Sequence, residues 1–251
     1  MNSIQFNHKT WQIPATWGEV NRQQMLSIGK FYPLADLPHV RVNLLLEWLN
    51  LDAITGFQFR KVDAYQVSEM VKLLDFVFGQ AILTASVIKA IPINKLIYYG
   101  PTDELMTMTT GQWRTVEPFV AEYQQSGHPD MLNAFMAAMY RTTGLDKLYT
   151  QATEAYYRST VGQRADLFKQ VPDFIKHACL IEYMALRQHL IESNRDVLPK
   201  PDKKTPAGGP KMNWDSIVMS MAPSAADVED IDRMPIWDFF RFMNTRIKKQ
   251  S

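Results

Sequence analysis

The sequence has little cysteine and contains no glycine-rich phosphate loop. Only one of its 251 residues, Cys179, is a cysteine. An internal disulfide is therefore impossible, and a reducing, intracellular compartment is the expected environment. Neither the Walker nor the dinucleotide-binding pattern of glycines occurs, and Gly208 and Gly209 lie in a proline-rich stretch instead of between a strand and a helix. The chain is not expected to bind a nucleotide.

The chain also lacks an excess of charge of one sign and a long uninterrupted apolar run. It has 27 Lys and Arg against 26 Asp and Glu, for a formal net charge of +1. This balance gives no overall field that would attract nucleic acid or an anionic membrane. The longest apolar stretch, residues 73–91, is interrupted by Asp75 and Lys89 and is too polar to span a bilayer. Residues 1–10 lack the features of a signal peptide. We expect neither nucleic acid nor membrane as a partner.

No spacing of histidine, cysteine or carboxylate residues matches a known catalytic or metal motif. The five histidines form no HExxH pattern, and no CxxC pair is present. Glu182 and His189 stand seven residues apart and would share one helix face, as half of a metal site, although a structural role is the favoured interpretation. A helical enzyme with an unrecognised site stays an alternative. Its carboxylates would come from distant helices: Asp146, Glu154, Asp166 and Glu182. We predict no catalytic residue, no cofactor and no metal.

The apolar periodicity predicts a mainly α protein, a multi-helix globular body with one or two small β-hairpins. Strands are predicted near residues 4–13 and near residues 96–108, the second pair around the turn at residues 100–103. Asn21 and Thr109 (or Thr110) are predicted to cap helices. The pattern further predicts helices over residues 39–50, 63–78, 79–90, 109–126, 131–140, 144–157 and 171–192, and a loop over residues 52–59 around Gly56.

A proline-rich segment indicates the domain organisation. Residues 198–211 contain four prolines, two glycines and four lysines, a composition typical of a flexible linker. This linker separates a main body, residues 1–197, from a helical C-terminal tail, residues 212–251. A weak internal duplication, residues 4–60 against 96–145, is a further hypothesis, because similar residue types recur at an offset of 88.

The C-terminal tail is rich in methionine and aromatic residues. About forty residues are too few to fold well alone, so the tail is expected to dock on the body or on another chain. Methionine is flexible and polarizable, and it suits surfaces that adapt to a partner. The tail residues predicted to contact a partner are Trp214, Met221, Met234, Trp237, Phe240 and Met243, although each could instead dock intramolecularly.

Three segments carry a resemblance to a known family. They are residues 13–25, from Ile13 and Pro14 to Met25; residues 103–141, a short strand, a Thr-capped helix and an apolar helix; and residues 214–235 with the helix that follows. In this order of features the chain resembles the predicted tail assembly chaperones of tailed phages and prophages, especially those of Bacteroidetes-type hosts. The resemblance covers most of the chain but includes no invariant motif.

The resemblance implies a non-enzymatic, non-virion protein of the host cytoplasm. Such a chaperone binds the phage tape measure protein and recruits tail tube proteins, often as a multimer, so self-association is possible. Because a tape measure protein is long, helical and apolar on one side, its chaperone needs adaptable hydrophobic surfaces on a helical scaffold. A structural virion or adaptor protein with the same scaffold is the main alternative.

Overall fold

The computed structural model describes residues 1–6, 8–37, 39–142, 156, 158–195 and 213–250, and of residues 247–250 it describes the backbone only. The described chain is mainly helical with two small antiparallel sheets, which confirms the predicted fold class. The predicted linker, residues 198–211, lies outside the described residues. The helices are α1 Arg22–Phe31, α2 Val40–Leu49, α3 Ala53–Phe59, α4 Ala64–Lys72, α5 Thr110–Ser126, α6 Pro129–Met139, α7 Val161–Phe168, α8 Asp173–Ser193, α9 Trp214–Met221, α10 Ala225–Arg233 and α11 Ile236–Gln250; the strands are β1 Asn2–Phe6, β2 Lys9–Ile13, β3 Ala90–Ile93, β4 Leu96–Tyr99 and β5 Arg141–Thr142.

The chain forms two compact units. Unit 1 contains Met1–Ile88 and Pro172–Gln188, and unit 2 contains Lys89–Val171 and His189–Ser251. Most of α8 therefore belongs to unit 1, although it follows some eighty residues of unit 2 along the chain. The division into a body, a linker and a tail stays a prediction, because its boundary falls on residues outside the described part of the chain.

Unit 1 begins with the predicted hairpin, in which β1 and β2 pair antiparallel with Ile4 opposite Trp11. Asn21 then starts α1 with a full capping box, because its side chain accepts a hydrogen bond from the Gln24 N–H and the Gln24 side chain accepts one from the Asn21 N–H. Gly29 of α1 lies so close to α8 that a Cβ atom there would come within 2.2 Å of the Phe174 carbonyl oxygen. This close approach requires glycine.

Unit 2 contains the second sheet, in the order β3-β4-β5. The prediction of strands over residues 96–108 is right for β4 but wrong for its partner. Strand β4 pairs backward with β3 through a tight turn in which Asn94 adopts a left-handed conformation, with φ at 55°. Residues 103–105 form a short 3-10 turn. Next, Thr109 caps α5 by accepting a hydrogen bond from the Gln112 N–H, as predicted.

Two predictions for residues 52–90 are wrong. Residues 53–59 form helix α3, not a loop, because Asp52 caps the helix by accepting a hydrogen bond from the Thr55 N–H. Residues 80–89 are not helical, and strand β3 begins at Ala90. The long helix predicted over residues 171–192 is confirmed as α8, in which Cys179 is buried.

Candidate interaction surfaces

The C-terminal helices pack on α5 within unit 2. Helices α10 and α11 both contact α5, and α9 contacts α10. Three aromatic rings meet at the centre: Trp113 of α5 lies 5.6 Å from Trp214 and 6.3 Å from Phe240, and the last two rings lie 5.8 Å apart. All three side chains are buried. The aromatic residues of the tail thus form a core with α5.

Arg114 anchors this packing electrostatically. Its Nε donates to the Asp215 carboxylate at 2.8 Å and its Nη1 donates to the Asp232 carboxylate at 2.6 Å, while its side chain is only 6% exposed. Burial alone would lower the pKa of the Arg114 guanidinium, but the two carboxylates outweigh burial and place the pKa above its usual value. A single buried cation therefore fastens α9 and α10 to α5.

Backbone hydrogen bonds fix the start of α11 beside the start of α5. The Ile236 N–H donates to the Met108 carbonyl at 2.8 Å, and the Thr110 N–H donates to the Met234 carbonyl at 2.9 Å. The Trp237 indole N–H donates to the Glu104 carbonyl at 2.6 Å. These bonds satisfy backbone groups that would otherwise be orphaned at the ends of the helices.

The turn that accepts the Trp237 hydrogen bond is conformationally strained. Glu104 and Leu105 have φ values of 55° and 60°, in the left-handed region that side-chain-bearing residues rarely adopt. Leu105 is fully buried. Such a conformation persists only where the surroundings determine it. We attribute it here to the burial of Leu105 and to the hydrogen bond from Trp237.

The six residues predicted to contact a partner thus lie largely within their own unit. Trp214, Phe240 and Met243 are buried, and Met221, Met234 and Trp237 are half-buried. Trp214, Phe240 and Met243 therefore dock within the chain, which is one of the two possibilities that the sequence allowed. A role of the six in partner binding stays a prediction.

Helix α3 exposes large apolar side chains instead. Ile54 is 73% exposed and Phe57 is 60% exposed. They are three residues apart and so lie on one face of the helix, while Lys61 lies in the turn after it. The Lys61 ammonium lies 4.7 Å from the centre of the Phe57 ring, within cation–π distance. We call Ile54 and Phe57 the α3 stripe.

The opposite face of α3 is firmly attached to unit 1. Phe59 is buried and its ring meets that of Phe6 edge-to-face at 5.8 Å. Asp52 accepts a hydrogen bond from the Lys9 ammonium at 2.7 Å and further bonds from the backbone N–H and hydroxyl of Thr55. These bonds, that from Lys9 foremost, hold the pKa of the Asp52 carboxyl well below its usual value. The helix that carries the α3 stripe is therefore held in place by contacts on its other face.

Other exposed apolar side chains are spread over both units, and α4 has no fully buried residue. Single exposed apolar residues are common on protein surfaces, whereas neighbouring ones on one helix face are more informative. Among the described residues, the other large apolar side chains that are exposed are Met1, Leu34, Leu37, Leu46, Tyr65, Ile82, Leu96, Ile97, Met106, Phe174 and Met219.

Sequence reasoning missed the α3 stripe because it assigned residues 52–59 to a loop. A signal was present: Asp52 is a good N-cap residue, and the apolar pair Ile54 and Phe57 follows at helical spacing. The sequence interpretation gave more weight to Gly56, which was taken as the centre of a loop. In the structure Gly56 lies within the helix, and a Cβ atom there would meet nothing closer than 3.9 Å.

The described residues that were considered for metal binding or catalysis each contact other groups. Glu182 is buried in unit 1, where it accepts hydrogen bonds from the Ser86 hydroxyl and the Ile88 N–H. His189 has its ring near that of Trp237 in unit 2. Asp166 pairs with Lys169 at 2.7 Å. Asp146 and Glu154 lie outside the described residues, and within the described ones no group of three or more His, Cys, Asp or Glu is arranged to hold a metal ion.

Across the part of the chain that the structure describes, no helix combines the length and apolarity needed to cross a membrane. Comparison with known protein families, with curated proteins and with solved structures found no match to this chain.

Proposed function

We propose that this protein is a non-enzymatic binding protein that holds a helical partner through the α3 stripe. The observation that supports the proposal is the 73% and 60% exposure of Ile54 and Phe57 on one face of a helix whose other face is anchored. Two large apolar side chains displayed in this way cost free energy in water, and that cost is relieved when a partner covers them.

The resemblance of the sequence to phage tail assembly chaperones supplies the proposed partner. A tape measure protein is long and helical with an apolar side, which suits an exposed apolar face on a helical scaffold. On this proposal the protein works in the host cytoplasm, binds the tape measure protein and recruits tail tube proteins. The tail residues Trp214, Met221, Met234, Trp237, Phe240 and Met243 are proposed as a second contact set, engaged only if the C-terminal helices leave α5.

The test is capture of the tape measure protein from cells that express the full-length chain with its neighbouring genes. The double variant Ile54→Asp with Phe57→Asp removes the apolar face without touching buried residues, and we expect it to lose most of the captured protein. The matched control makes the same change at two exposed methionines of unit 2, Met106→Asp with Met219→Asp, and should capture as the wild type does.

Two outcomes would contradict the proposal. Equal capture by the wild type and by the Ile54 and Phe57 double variant would remove α3 as the binding surface. Stoichiometric presence of the protein in purified particles would move it to the structural virion class. Circular dichroism of each variant confirms that the helices are intact before capture is compared.

A further inference from the structure

A strained turn of unit 2 is bonded to the C-terminal helices α9–α11. Glu104 and Leu105 follow each other in this turn with φ values of 55° and 60°, both in the left-handed region. Each such residue with a side chain raises the free energy of the folded state, and two in succession raise it further. The turn therefore stores strain beside α11.

Hydrogen bonds tie α11 to this turn and to the residues that follow it. The Trp237 indole N–H donates to the Glu104 carbonyl at 2.6 Å, and the Ile236 N–H donates to the Met108 carbonyl at 2.8 Å. If α11 leaves, both bonds are lost and the turn can adopt ordinary backbone angles. Relief of the strain then offsets part of the cost of leaving.

The contact between α5 and the C-terminal helices also contains ion pairs at its edge. Arg114 is 6% exposed, but its partners Asp215 and Asp232 are 49% and 37% exposed. Buried charges contribute less to stability than apolar packing of the same volume, because each loses hydration, and here all three regain water when the helices leave. Contacts between parts of a chain that move relative to one another are more polar than permanent ones.

We propose that α9–α11 open from α5 as one unit while the rest of unit 2 stays folded, and that the strained turn at Glu104 and Leu105 lowers the cost of this opening. The packed rings of Trp113, Trp214 and Phe240 keep the closed state in the majority. The opening is the step that the second contact set requires, and its use there rests on the proposed function. The opening itself needs no partner.

Native-state hydrogen exchange of the full-length protein, read by mass spectrometry of its peptides, measures the opening. We expect the amides of α9, α10 and α11 to share one opening constant, at least about tenfold larger than that of α6 in the same unit. Equal opening constants for α6 and the C-terminal helices would show that these helices open only when all of unit 2 unfolds. That result would overturn the inference.

The variants Glu104→Gly and Glu104→Ala isolate the effect of the strain. Both remove the carboxylate that lies 3.8 Å from the His189 ring nitrogen Nε2, but only glycine adopts the left-handed angles at no steric cost. The opening constant of α9–α11 should be at least about threefold smaller in Glu104→Gly than in Glu104→Ala, because glycine removes strain from the closed state. Equal or larger opening in the glycine variant would overturn the inference.

The same pair of changes at Asn94 is the matched control. Asn94 is a left-handed residue in the turn between β3 and β4, in the same unit. Asn94→Gly and Asn94→Ala should differ in the exchange of that hairpin and give the same opening constant for α9–α11. An equal response of α9–α11 to both pairs of variants would mean that these helices report the stability of all of unit 2, and the inference would be wrong.

The inference and the proposed function fail separately. If α9–α11 open but capture of the tape measure protein ignores Ile54 and Phe57, the opening stands and the proposed binding surface is wrong. If capture depends on Ile54 and Phe57 but α9–α11 stay closed until unit 2 unfolds, the proposed surface stands and the opening is wrong.

Discussion

Phe57 and Phe240 are the same residue type on two helices of this chain, yet one is largely exposed and the other is fully buried. Phe240 belongs to the aromatic-rich tail, which was predicted from the sequence to bind a partner. Phe57 belongs to residues 52–59, which were predicted to form a loop. The difference lies in what faces each helix. Trp113 and Trp214 surround Phe240, and Arg114 holds the neighbouring helices in place. Phe57 stays 60% exposed, with the Lys61 ammonium 4.7 Å from the centre of its ring. Aromatic content alone does not reveal a binding surface.

The largest expected effect separates these two phenylalanines directly. Phe240→Ala should lower the free energy of unfolding by about 3–5 kcal/mol, because it leaves a cavity beside Trp113 and Trp214. Phe57→Ala should change it by no more than about 0.5 kcal/mol, because the ring is already in water. Urea denaturation followed by circular dichroism measures both. Similar losses in the two variants would abolish the distinction between a core and a surface.

A close helix contact of unit 1 can be compared with an open position in unit 2. Gly29→Ala should destabilise by about 1–3 kcal/mol, because the new methyl group would collide with the backbone of α8. Gly162→Ala in α7 should stabilise by up to about 1 kcal/mol, because nothing lies within 4 Å and alanine favours the helix. Thermal unfolding of the two variants should therefore shift in opposite directions, and a stable Gly29→Ala protein would contradict this packing.

Two tryptophans differ in whether the indole N–H makes a hydrogen bond. Trp237→Phe removes the hydrogen bond to the Glu104 carbonyl, whereas Trp48→Phe removes a buried indole N–H that has no hydrogen-bond partner among the described residues. Both variants lose similar ring area, so their difference reports the hydrogen bond. We expect Trp237→Phe to be the more destabilising by about 1 kcal/mol in chemical denaturation. The reverse order would mean that Trp237 does not help to hold the tail.

The smallest effect is a pH dependence in unit 1. Burial lowers the pKa of His177, whose ring packs near Tyr32, so the folded state binds fewer protons than the unfolded state. The stability contributed by neutral His177 is present above the ordinary histidine pKa, near 6.5, and declines as pH falls below it. His177→Gln should make the urea midpoint of unfolding depend less on pH across this range. An unchanged slope would show that other groups carry the acid sensitivity.

Local signals in the sequence predicted the starts of α1 and α5. Asn21 and Thr109 were both recognisable as caps because the bonds they make reach only three residues along the chain. The partner of β4 was predicted wrongly, since the left-handed turn at Asn94 was not recognised. The sequence predicted that the tail docks on the body or on another chain, but not that it docks on α5, because Arg114 meets Asp215 and Asp232 across more than a hundred residues.

The hypothesis of an internal duplication can be sharpened at one pair of positions. Gln24 and Gln112 occupy equivalent places after the two caps, 88 residues apart. Gln24 completes a capping box with Asn21, whereas Gln112 is buried and donates to the Ala138 carbonyl at 2.7 Å. Glutamine therefore completes an exposed helix cap in unit 1 and makes a buried hydrogen bond in unit 2. The two positions are equivalent along their helices, but their side chains have different roles.

The discontinuity of unit 1 has a consequence for synthesis on the ribosome. Residues 1–88 emerge first, but the α8 residues that contact Gly29 and that bond to Ser86 and Ile88 through Glu182 emerge only after some eighty further residues. At translation rates of about 5–20 residues per second, this delay is roughly 4–16 seconds. During that interval the nascent chain exposes the α1 surface that α8 later covers, so the first unit to be translated is completed only when α8 arrives.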